Sequence, residues 1–477
     1  MQRFDRLFAW VQPRHTTPPA DGLPPGARRV AMTTMAMAVT MTVLDTSLSN
    51  IALPAIGRDL GVTPAATVWV VNAYQLSVAV SLLPLAALGD RVGYRRIYMM
   101  GLMVFLCGAL GAALANSLTM LVAMRVLCGL GGAGIMSVNS ALVRFIFPRA
   151  QLGKGMALNS LVVAVGLASG PTIAALILAV LPWPFLFALN VPLGLVTLVL
   201  SLRNLPETDR VDHPFDWPSV GLYGVAVASF ILALGGAGHG EGPVRIALEA
   251  VLAVVAGVWL VRRQLGKPAP MLPIDLFRIR LFLLSVITAI CIHAAQTIAF
   301  LALPFWFVYA SGASQAGTGL LMTPWPFMVV FIAPIAGRLS DRYPAGLLGG
   351  IGLAAMMAGL LLMLALPAGA GFWDTAWRMA VCGIGFGFFQ TPNNRALIGS
   401  APRERSGAAS GMLSTSRLIG QTVGGALLAV VFGLTTATGG SVAHGASLGV
   451  AIAAGFAGLG MCVSWLRLGM PPVRLGQ

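Results

Sequence analysis

The hydrophobic pattern divides the chain into long apolar runs that recur from residue 30 to residue 466, with short polar segments between them. A run of about 20 apolar residues crosses a bilayer as an α-helix. The runs are continuous rather than alternating, which argues against a membrane β-barrel. The pattern therefore predicts an all-α polytopic membrane protein with fourteen transmembrane helices, near residues 30–56, 67–89, 97–115, 118–142, 156–181, 184–202, 219–236, 246–262, 281–308, 314–337, 346–366, 374–397, 406–433 and 444–466.

Composition supports this class and excludes several functions. Only 9% of the residues are charged and 57% are hydrophobic, whereas a soluble domain carries about 25% charged residues. The net charge of +15 is spread over short loops, so it does not indicate a nucleic-acid surface. The five cysteines lie inside apolar runs without metal-like spacing, and the sequence contains no recognisable nucleophile–base pair or phosphate-binding loop. We expect no metal, no cofactor and no enzymatic activity.

Positive charge predicts the orientation of the helices. If the N-terminus is cytoplasmic, 25 of the 30 lysines and arginines lie in cytoplasmic segments or at their edges, and only Arg58, Arg245 and Arg378 lie outside. Residues 1–29 contain no apolar stretch typical of a signal peptide. We therefore expect a disordered cytoplasmic tail over residues 1–29, a second cytoplasmic tail over residues 467–477, and both termini inside.

An internal repeat relates the two ends of the chain at an offset of 251 to 254 residues. The matching elements are the loops "LGDRVGYRR" and "GRLSDRYP", the helix segments "CGLGGAG" and "CGIGFG", and the glycine pairs Gly166/Gly170 and Gly420/Gly424. The repeat predicts an N-terminal six-helix half at 30–202, a linker with two extra transmembrane helices at 203–280, and a C-terminal six-helix half at 281–466. Two similar halves are typical of a transporter that alternates access around a central cavity.

Asp45 is the one charged residue inside the first apolar span. A charge at this depth costs roughly 3 kcal/mol on insertion scales, and burial disfavours the ionised carboxylate. Asp45 could therefore take up a proton from one side of the membrane and release it to the other. Alternatively it could pair with Arg125 as a link between helices, since the two residues differ in depth by about one turn. Both roles can operate in sequence, and Arg125 could also bond to carbonyl groups in the bundle.

Two short loops carry the same acid–base pattern in the two halves. The charged residues are Asp90, Arg91, Arg95 and Arg96 after span two, and Asp341 and Arg342 after span ten. Because the pattern recurs, we expect these residues to gate one end of the molecule, although loop arginines also serve simply to set topology. In span five, Gly166, Gly170 and Pro171 predict close helix packing, which would seal the cavity against proton leak.

Aromatic and polar residues within the spans are candidates for the cavity wall. They are Trp69, Asn72, Tyr74, His293, Gln296, Trp306, Trp325, Phe388, Gln390, Asn394 and Arg417. Aromatic walls suit large lipophilic ligands and attract organic cations, but each residue could equally pack inside the bundle. Arg417 faces no second deep acid in the sequence, so a structural and a substrate-facing role are both open. The inserted helices are expected to be peripheral, with Glu249 at the membrane interface.

Several motifs together resemble the major facilitator superfamily, and within it the fourteen-helix drug:proton antiporter branch. They are "LDTSLSNIALPAI", "ALGDRVGYRR", "RVLCGLGGAG", "GLASGPTIAA" and "RERSGAASGMLSTSRLIGQTVGGAL". The departures are conservative substitutions at Ala86, Tyr94, Ala174 and Ala175. The resemblance implies proton-coupled efflux of amphipathic, often cationic compounds by alternating access, with Asp45 and Arg125 in proton coupling, in the bacterial cytoplasmic (inner) membrane.

Other functions are open on this basis. The same fold could export an endogenous lipid, siderophore or metabolite, and a facilitator without proton coupling or a membrane receptor is also conceivable. The expected partners are a lipophilic small-molecule substrate, protons and the bilayer, with the chain acting as a monomer. Because Asp45 is the only acid deep within either half, we expect monovalent or neutral substrates rather than bivalent cations, whose second charge would be buried without a partner.

Overall fold

The computed structural model describes residues 22–148, 151–208, 216–236, 242–265, 274–340, 342–367, 370–401 and 406–468. These residues form α-helices without any β-strand, which confirms the all-α prediction. The helices are α1 (Pro25–Asp59), α2 (Pro64–Val92), α3 (Tyr94–Ala113), α4 (Leu118–Ile146), α5 (Leu152–Val180), α6 (Pro184–Ala188), α7 (Asn190–Asn204), α8 (Trp217–Gly236), α9 (Pro243–Gln264), α10 (Arg280–Tyr309), α11 (Gln315–Met322), α12 (Pro324–Leu339), α13 (Ala345–Leu364), α14 (Phe372–Gly399), α15 (Ser406–Ala437) and α16 (Val442–Trp465). A 3₁₀ turn at Ile274–Arg278 precedes α10.

The sixteen helices of the described residues occupy the fourteen predicted spans, because α6 with α7 and α11 with α12 each form one span. Twelve of the spans are long and apolar enough to cross a membrane. The other two are α8, whose described apolar stretch is shorter, and α14, which carries Asp374, Arg378 and Arg395. The fold is therefore consistent with fourteen transmembrane helices.

The first helix begins earlier than the sequence predicted. α1 starts at Pro25, so residues 25–29 of the predicted disordered tail are helical. A proline fits the first helical position because its missing N–H needs no partner there. Arg28 fixes this end by donating to the Gln151 side chain at 2.7 Å. Residues 1–21 of the predicted N-terminal tail, and all but the first two residues of the C-terminal one, lie outside the described residues.

The two ends of the bundle differ in charge. The end that carries Gly93, Phe147 and Leu205 also carries most of the loop arginines, and we call it the basic end. The opposite end carries Leu60 and Leu181. At the basic end the chain turns directly from α2 into α3 at Gly93, whose φ of 104° strongly favours glycine.

Glycines at equivalent positions of the predicted repeat make equivalent atomic contacts. Gly129 of α4 packs so tightly on α2 that an added Cβ would lie within 3.0 Å of the Tyr74 carbonyl oxygen. Gly383 of α14 makes the same contact with the Trp325 carbonyl oxygen of α12. Small residues let helix backbones approach this closely in membranes. Each half is therefore held together by backbone-to-backbone packing.

Buried hydrophobic residues form three clusters. The largest joins both halves through the parts of α1, α2, α10 and α15 that lie toward the opposite end, with Ile51 and Phe432 among its members. Toward the basic end, the N-terminal half has its own cluster, which Leu418 alone enters from the C-terminal half among the described residues. The C-terminal half has a separate third cluster. The halves are thus closed against each other at the opposite end and have separate cores at the basic end.

The inserted pair is asymmetric. α8 contacts α2 of one half and α15 of the other, and the Tyr223 hydroxyl donates to the Ala79 carbonyl of α2 at 2.9 Å. α9 packs mainly on α8, where Gln264 donates to Ser219 at 2.8 Å. Its apolar surface is otherwise open, and Trp259 is 62% exposed. α9 is therefore peripheral, whereas α8 lies across the junction of the halves.

Candidate functional site

A fully buried ion pair lies inside the N-terminal half. Asp45 of α1 and Arg125 of α4 have side chains that are 0% exposed, and Asp45 Oδ2 accepts a hydrogen bond from Arg125 Nη1 at 2.5 Å. The other carboxylate oxygen, Oδ1, accepts from Asn190 Nδ2 of α7 at 3.0 Å. The pairing that the helix depths permitted is therefore observed, and Asn190 completes it.

Arg125 is held by more than its carboxylate partner. Its Nε donates to the Val70 carbonyl of α2 at 3.1 Å. Its guanidinium lies over the Tyr74 ring at 4.6 Å and the Phe187 ring at 5.4 Å, positions at which an aromatic face attracts a cation. Nη2 has no hydrogen-bond partner within the described residues. Hydrogen bonds and aromatic rings therefore fix the guanidinium of Arg125, and only its Nη2 group has no described acceptor.

Asn190 was not identified from the sequence. It is the first residue of α7, immediately after the break that separates α7 from α6. An amide in an otherwise apolar span, two residues before Pro192, is the signal that would have indicated it. Asn190 reaches the carboxylate from a third helix, α7.

The first gating loop is organised within its own half. Asp90 is exposed and accepts from the Tyr94 hydroxyl at 2.7 Å. Arg95 is buried and forms an ion pair with Glu207, and its other nitrogen donates to the Leu202 carbonyl at 2.6 Å. Tyr94 thus supplies a donor to Asp90 at a position where the family motif has a basic residue, and Arg95 fixes α3 to the end of α7.

The remaining gating candidates differ in exposure. Arg91 and Arg342 are exposed and Arg96 is half-buried, while Asp341 lies outside the described residues. The hydrogen bonds described above for Asp90 and Arg95 all lie on the N-terminal side of the junction. A gating role for the loops stays a prediction.

The glycines of the fifth span pack on the helix that carries Asp45. A Cβ on Gly166 would meet the Val43 side chain at 3.2 Å, and one on Gly170 would collide with Ser47. The next residues contact the other half: the Pro171 carbonyl packs on α11, and the Thr172 and Thr323 hydroxyls are 3.0 Å apart. One helix segment therefore contacts both α1 and the closed side of the junction.

Several predicted wall residues are packed inside the bundle. Tyr74 is 4% exposed, and Trp325 is 0% exposed with its ring edge-on to Phe300 at 5.0 Å. Asn72 is buried at the junction against Gly425, and its Oδ1 has no hydrogen-bond partner among the described residues. Packing, rather than an open wall, accounts for these side chains in this conformation.

The other wall candidates are distributed over the C-terminal half and α2. His293 approaches Gln296 Oε1 at 3.4 Å through Nδ1 and contacts the Phe386 ring at 5.7 Å. Trp306 lines a separate cavity of about 410 Å³ at the opposite end, together with Leu320 and Phe372. The half-buried remainder comprises Trp69, Phe388, Gln390, Asn394 and Arg417. The predicted set is therefore not one continuous surface.

Arg417 and Arg467 of the C-terminal half have no carboxylate partner in the described part of the chain, and of the two only Arg417 lies within a span. Arg417 has no hydrogen bond or ion pair there and lies within electrostatic range of Tyr74 and His293. Arg467, just after α16, donates to Asn393 at 2.7 Å, Ser285 at 3.1 Å and Ser464 at 2.6 Å. Desolvation lowers the pKa of Arg467 to about 10, so it remains charged at neutral pH. Arg467 links α10, α14 and α16, and the sequence analysis missed this role.

Comparison with known proteins gives the family. The model of the major facilitator superfamily matches residues 35–425. The chain is 48% identical to the uncharacterized transporter YebQ of Escherichia coli over 95% of its length and 99% of the relative's. It is 29% identical to the riboflavin transporter RibZ of Clostridioides difficile, with 84% and 88% of the two chains covered, and 30% identical to the multidrug resistance protein Stp of Mycobacterium tuberculosis, with 82% and 73% covered. With its repeated halves and a buried ion pair in one of them, the chain belongs to the major facilitator superfamily and is a multi-pass membrane transporter of small molecules.

Proposed function

We propose that this transporter exports amphipathic small molecules from the bacterial cytoplasm in exchange for protons. The observation that carries the proposal is the buried Asp45–Arg125 pair, which Asn190 completes. A carboxylate in the membrane interior is costly unless it is functional or paired, and here its pairing depends on a single proton. Protonation of Asp45 removes the attraction that holds Arg125, so one proton changes the contacts of three helices.

The conformation supports an alternating-access cycle. In the proposed orientation both termini and the basic end face the cytoplasm, in the inner membrane. The halves then have separate cores on the cytoplasmic side and a shared core on the outer side, as an inward-facing state requires. Asp90 is bonded to Tyr94 of its own half in this state. Closure at the cytoplasmic side would bring the two gating loops together.

The proton and the two states are linked through α1. Asp45 lies on the same helix as the residues that Gly166 and Gly170 contact, and α5 continues from there to the closed junction at Thr172 and Thr323. A change in how α1 packs is therefore transmitted to the outer closure by one helix. This arrangement gives a physical route from protonation to a change of access.

Efflux of foreign compounds is favoured because Stp, one of the relatives, is named a multidrug resistance protein. Export of an endogenous metabolite by the same mechanism is the second candidate, since a relative of similar identity is named a riboflavin transporter. Both candidate functions use the same proton site and the same alternating-access cycle. They differ in which compound the cell accumulates when the protein is absent.

Proteoliposomes containing the full-length protein test proton coupling directly. An imposed pH gradient should drive the uptake of chloramphenicol, a neutral amphipathic compound, into vesicles with inside-out protein, and substrate addition should dissipate the gradient. Asp45→Asn should abolish both signals, whereas Glu249→Gln on the peripheral helix α9 should retain them. Gradient-driven transport by Asp45→Asn at the wild-type rate would contradict the proposal.

A further inference from the structure

Arg417 is a deep arginine whose charge no described residue balances. Asp45 is the only acid deep within either half, and it is already bonded to Arg125 and Asn190 with a fully buried side chain. Arg417 has no hydrogen bond or ion pair among the described residues. The interior therefore holds one more positive charge than it holds negative charge.

The position of Arg417 is defined by its neighbours on α15. Gly420, three residues on and therefore on the same helix face, packs against His293 of α10, since an added Cβ would lie 2.9 Å from the His293 Cβ. The adjacent Leu418 enters the core of the N-terminal half, to which Tyr74 also belongs. α15 itself contacts both α2 and α10. Arg417 thus lies at the junction of the halves, between one helix of each.

The side chain is available for a ligand. Arg417 is half-buried rather than sealed, in contrast to Arg125 and Arg467, which are 0% and 2% exposed. Arg125 is held by two hydrogen bonds and Arg467 by three. A guanidinium presents five donors in a planar fork that matches carboxylate, sulfonate or phosphate oxygens. Gln296, a half-buried amide beside His293 on α10, is a further hydrogen-bonding group near this position.

We infer that Arg417 is an anion subsite of the transport pathway, and that the preferred substrates are amphipathic compounds carrying one acidic group. The inference rests on the proposed function and narrows its substrate class. It replaces the sequence-based expectation of frequent organic cations, because the carboxylate that would attract a cation is occupied by Arg125. Neither the sequence-based hypothesis nor the anion subsite provides a second carboxylate for a bivalent cation.

Substrate and proton use separate groups in this scheme. The anion binds Arg417 on α15, whereas the proton binds Asp45 on α1. Substrate and proton therefore need not compete for one carboxylate. Exchange still requires that the protein does not change its access with both sites filled or with both sites empty. This separation lets anion binding be measured without a proton gradient.

The test compares naphthalene-1-acetate with naphthalene-1-acetamide, which have the same ring system and differ in charge. Binding to the purified full-length protein in detergent is measured calorimetrically at pH 7. The wild type should bind the acid at least about tenfold more tightly than the amide, as expected for a charge-assisted contact. Arg417→Gln should lose this preference while binding the amide unchanged, and Arg417→Lys should retain part of it. The control Arg29→Gln, at an exposed residue of the basic end, should behave as the wild type.

The outcomes separate the possible failures. Equal binding of acid and amide by the wild type, or failure of the acid to bind at millimolar concentration, overturns the anion subsite. So does a preference that survives in Arg417→Gln. An equal loss of acid and amide binding in that variant indicates a structural arginine and also overturns it. If the preference depends on Arg417 while no compound moves with a pH gradient, the proposed antiport fails and the subsite stands.

Discussion

Replacing Asp45 by asparagine removes one charge from the buried pair and little else. The amide keeps one oxygen to accept from Arg125 Nη1, and the Asn190 amide can turn to offer its oxygen to the new NH₂ group. Every hydrogen bond of the carboxylate therefore has a replacement. What is lost is the compensation of a guanidinium that is 0% exposed.

The magnitude follows from this count. Breaking a buried ion pair by removing one partner costs about 3–5 kcal/mol. Because the hydrogen bonds persist and the Tyr74 and Phe187 rings stay in place, we expect the lower value, a loss of about 3 kcal/mol in the free energy of unfolding. Arg125→Gln should cost at least as much, since it leaves a buried carboxylate. The double variant Asp45→Asn/Arg125→Gln should lie within about 1 kcal/mol of the wild type, because it buries no charge.

The assay is denaturant unfolding in mixed micelles followed by tryptophan fluorescence, combined with transport driven by a pH gradient. Asp90→Asn, at an exposed residue, is the stability control and should unfold as the wild type does. All three variants of the pair should lack proton-driven transport, including the stable double variant. If the two single losses simply add in the double variant, the charges are not energetically coupled and the reasoning fails.

Three further predictions follow from other contacts. Asn190→Leu should destabilise the protein by about 1–3 kcal/mol in the same unfolding assay, because Asp45 loses a charge-assisted hydrogen bond; unchanged stability would remove Asn190 from the site. Cysteines at Thr172 and Thr323, whose hydroxyls are 3.0 Å apart, should cross-link with a short bifunctional thiol reagent and stop transport, whereas each single-cysteine variant stays active; transport by the cross-linked protein would contradict the motion at this junction. Asp90→Asn should slow turnover more than it weakens substrate binding, and a large loss of affinity at an unchanged maximal rate would show that the loop acts otherwise.

The sequence indicated the depth of a residue in the membrane better than it indicated the direction of the side chain. Position along a membrane helix is set by 1.5 Å per residue, so the pairing of Asp45 with Arg125 could be expected from two counts of residues. The side of a helix is harder to read, because lipid and protein interior are both apolar. For Tyr74 and Trp325 the sequence left open a cavity wall or the packed interior, and both lie inside their halves at the glycine contacts that the repeat itself creates.

Contacts between helices and the start of a helix account for what was missed. The span that contains Asn190 reads as one apolar run, and the hydrophobic pattern does not show that this side chain reaches Asp45 of another helix. The start of α1 was missed for a different reason. A proline-rich segment was taken as disordered, although Pro25 is a favourable first residue for α1.

The glycine contacts within each half also bear on how such proteins diverge. Where Gly129 meets the Tyr74 carbonyl and Gly383 meets the Trp325 carbonyl, any larger side chain collides with backbone that cannot move aside. We therefore expect those two glycine positions to accept few substitutions. Close contacts of this kind also occur at the junction of the halves, at Gly319 and Gly425, but other junction residues such as Arg417 are half-buried. We expect descendants of one ancestral transporter to acquire new cargoes by a few substitutions at these half-buried positions, while they inherit the packing within each half.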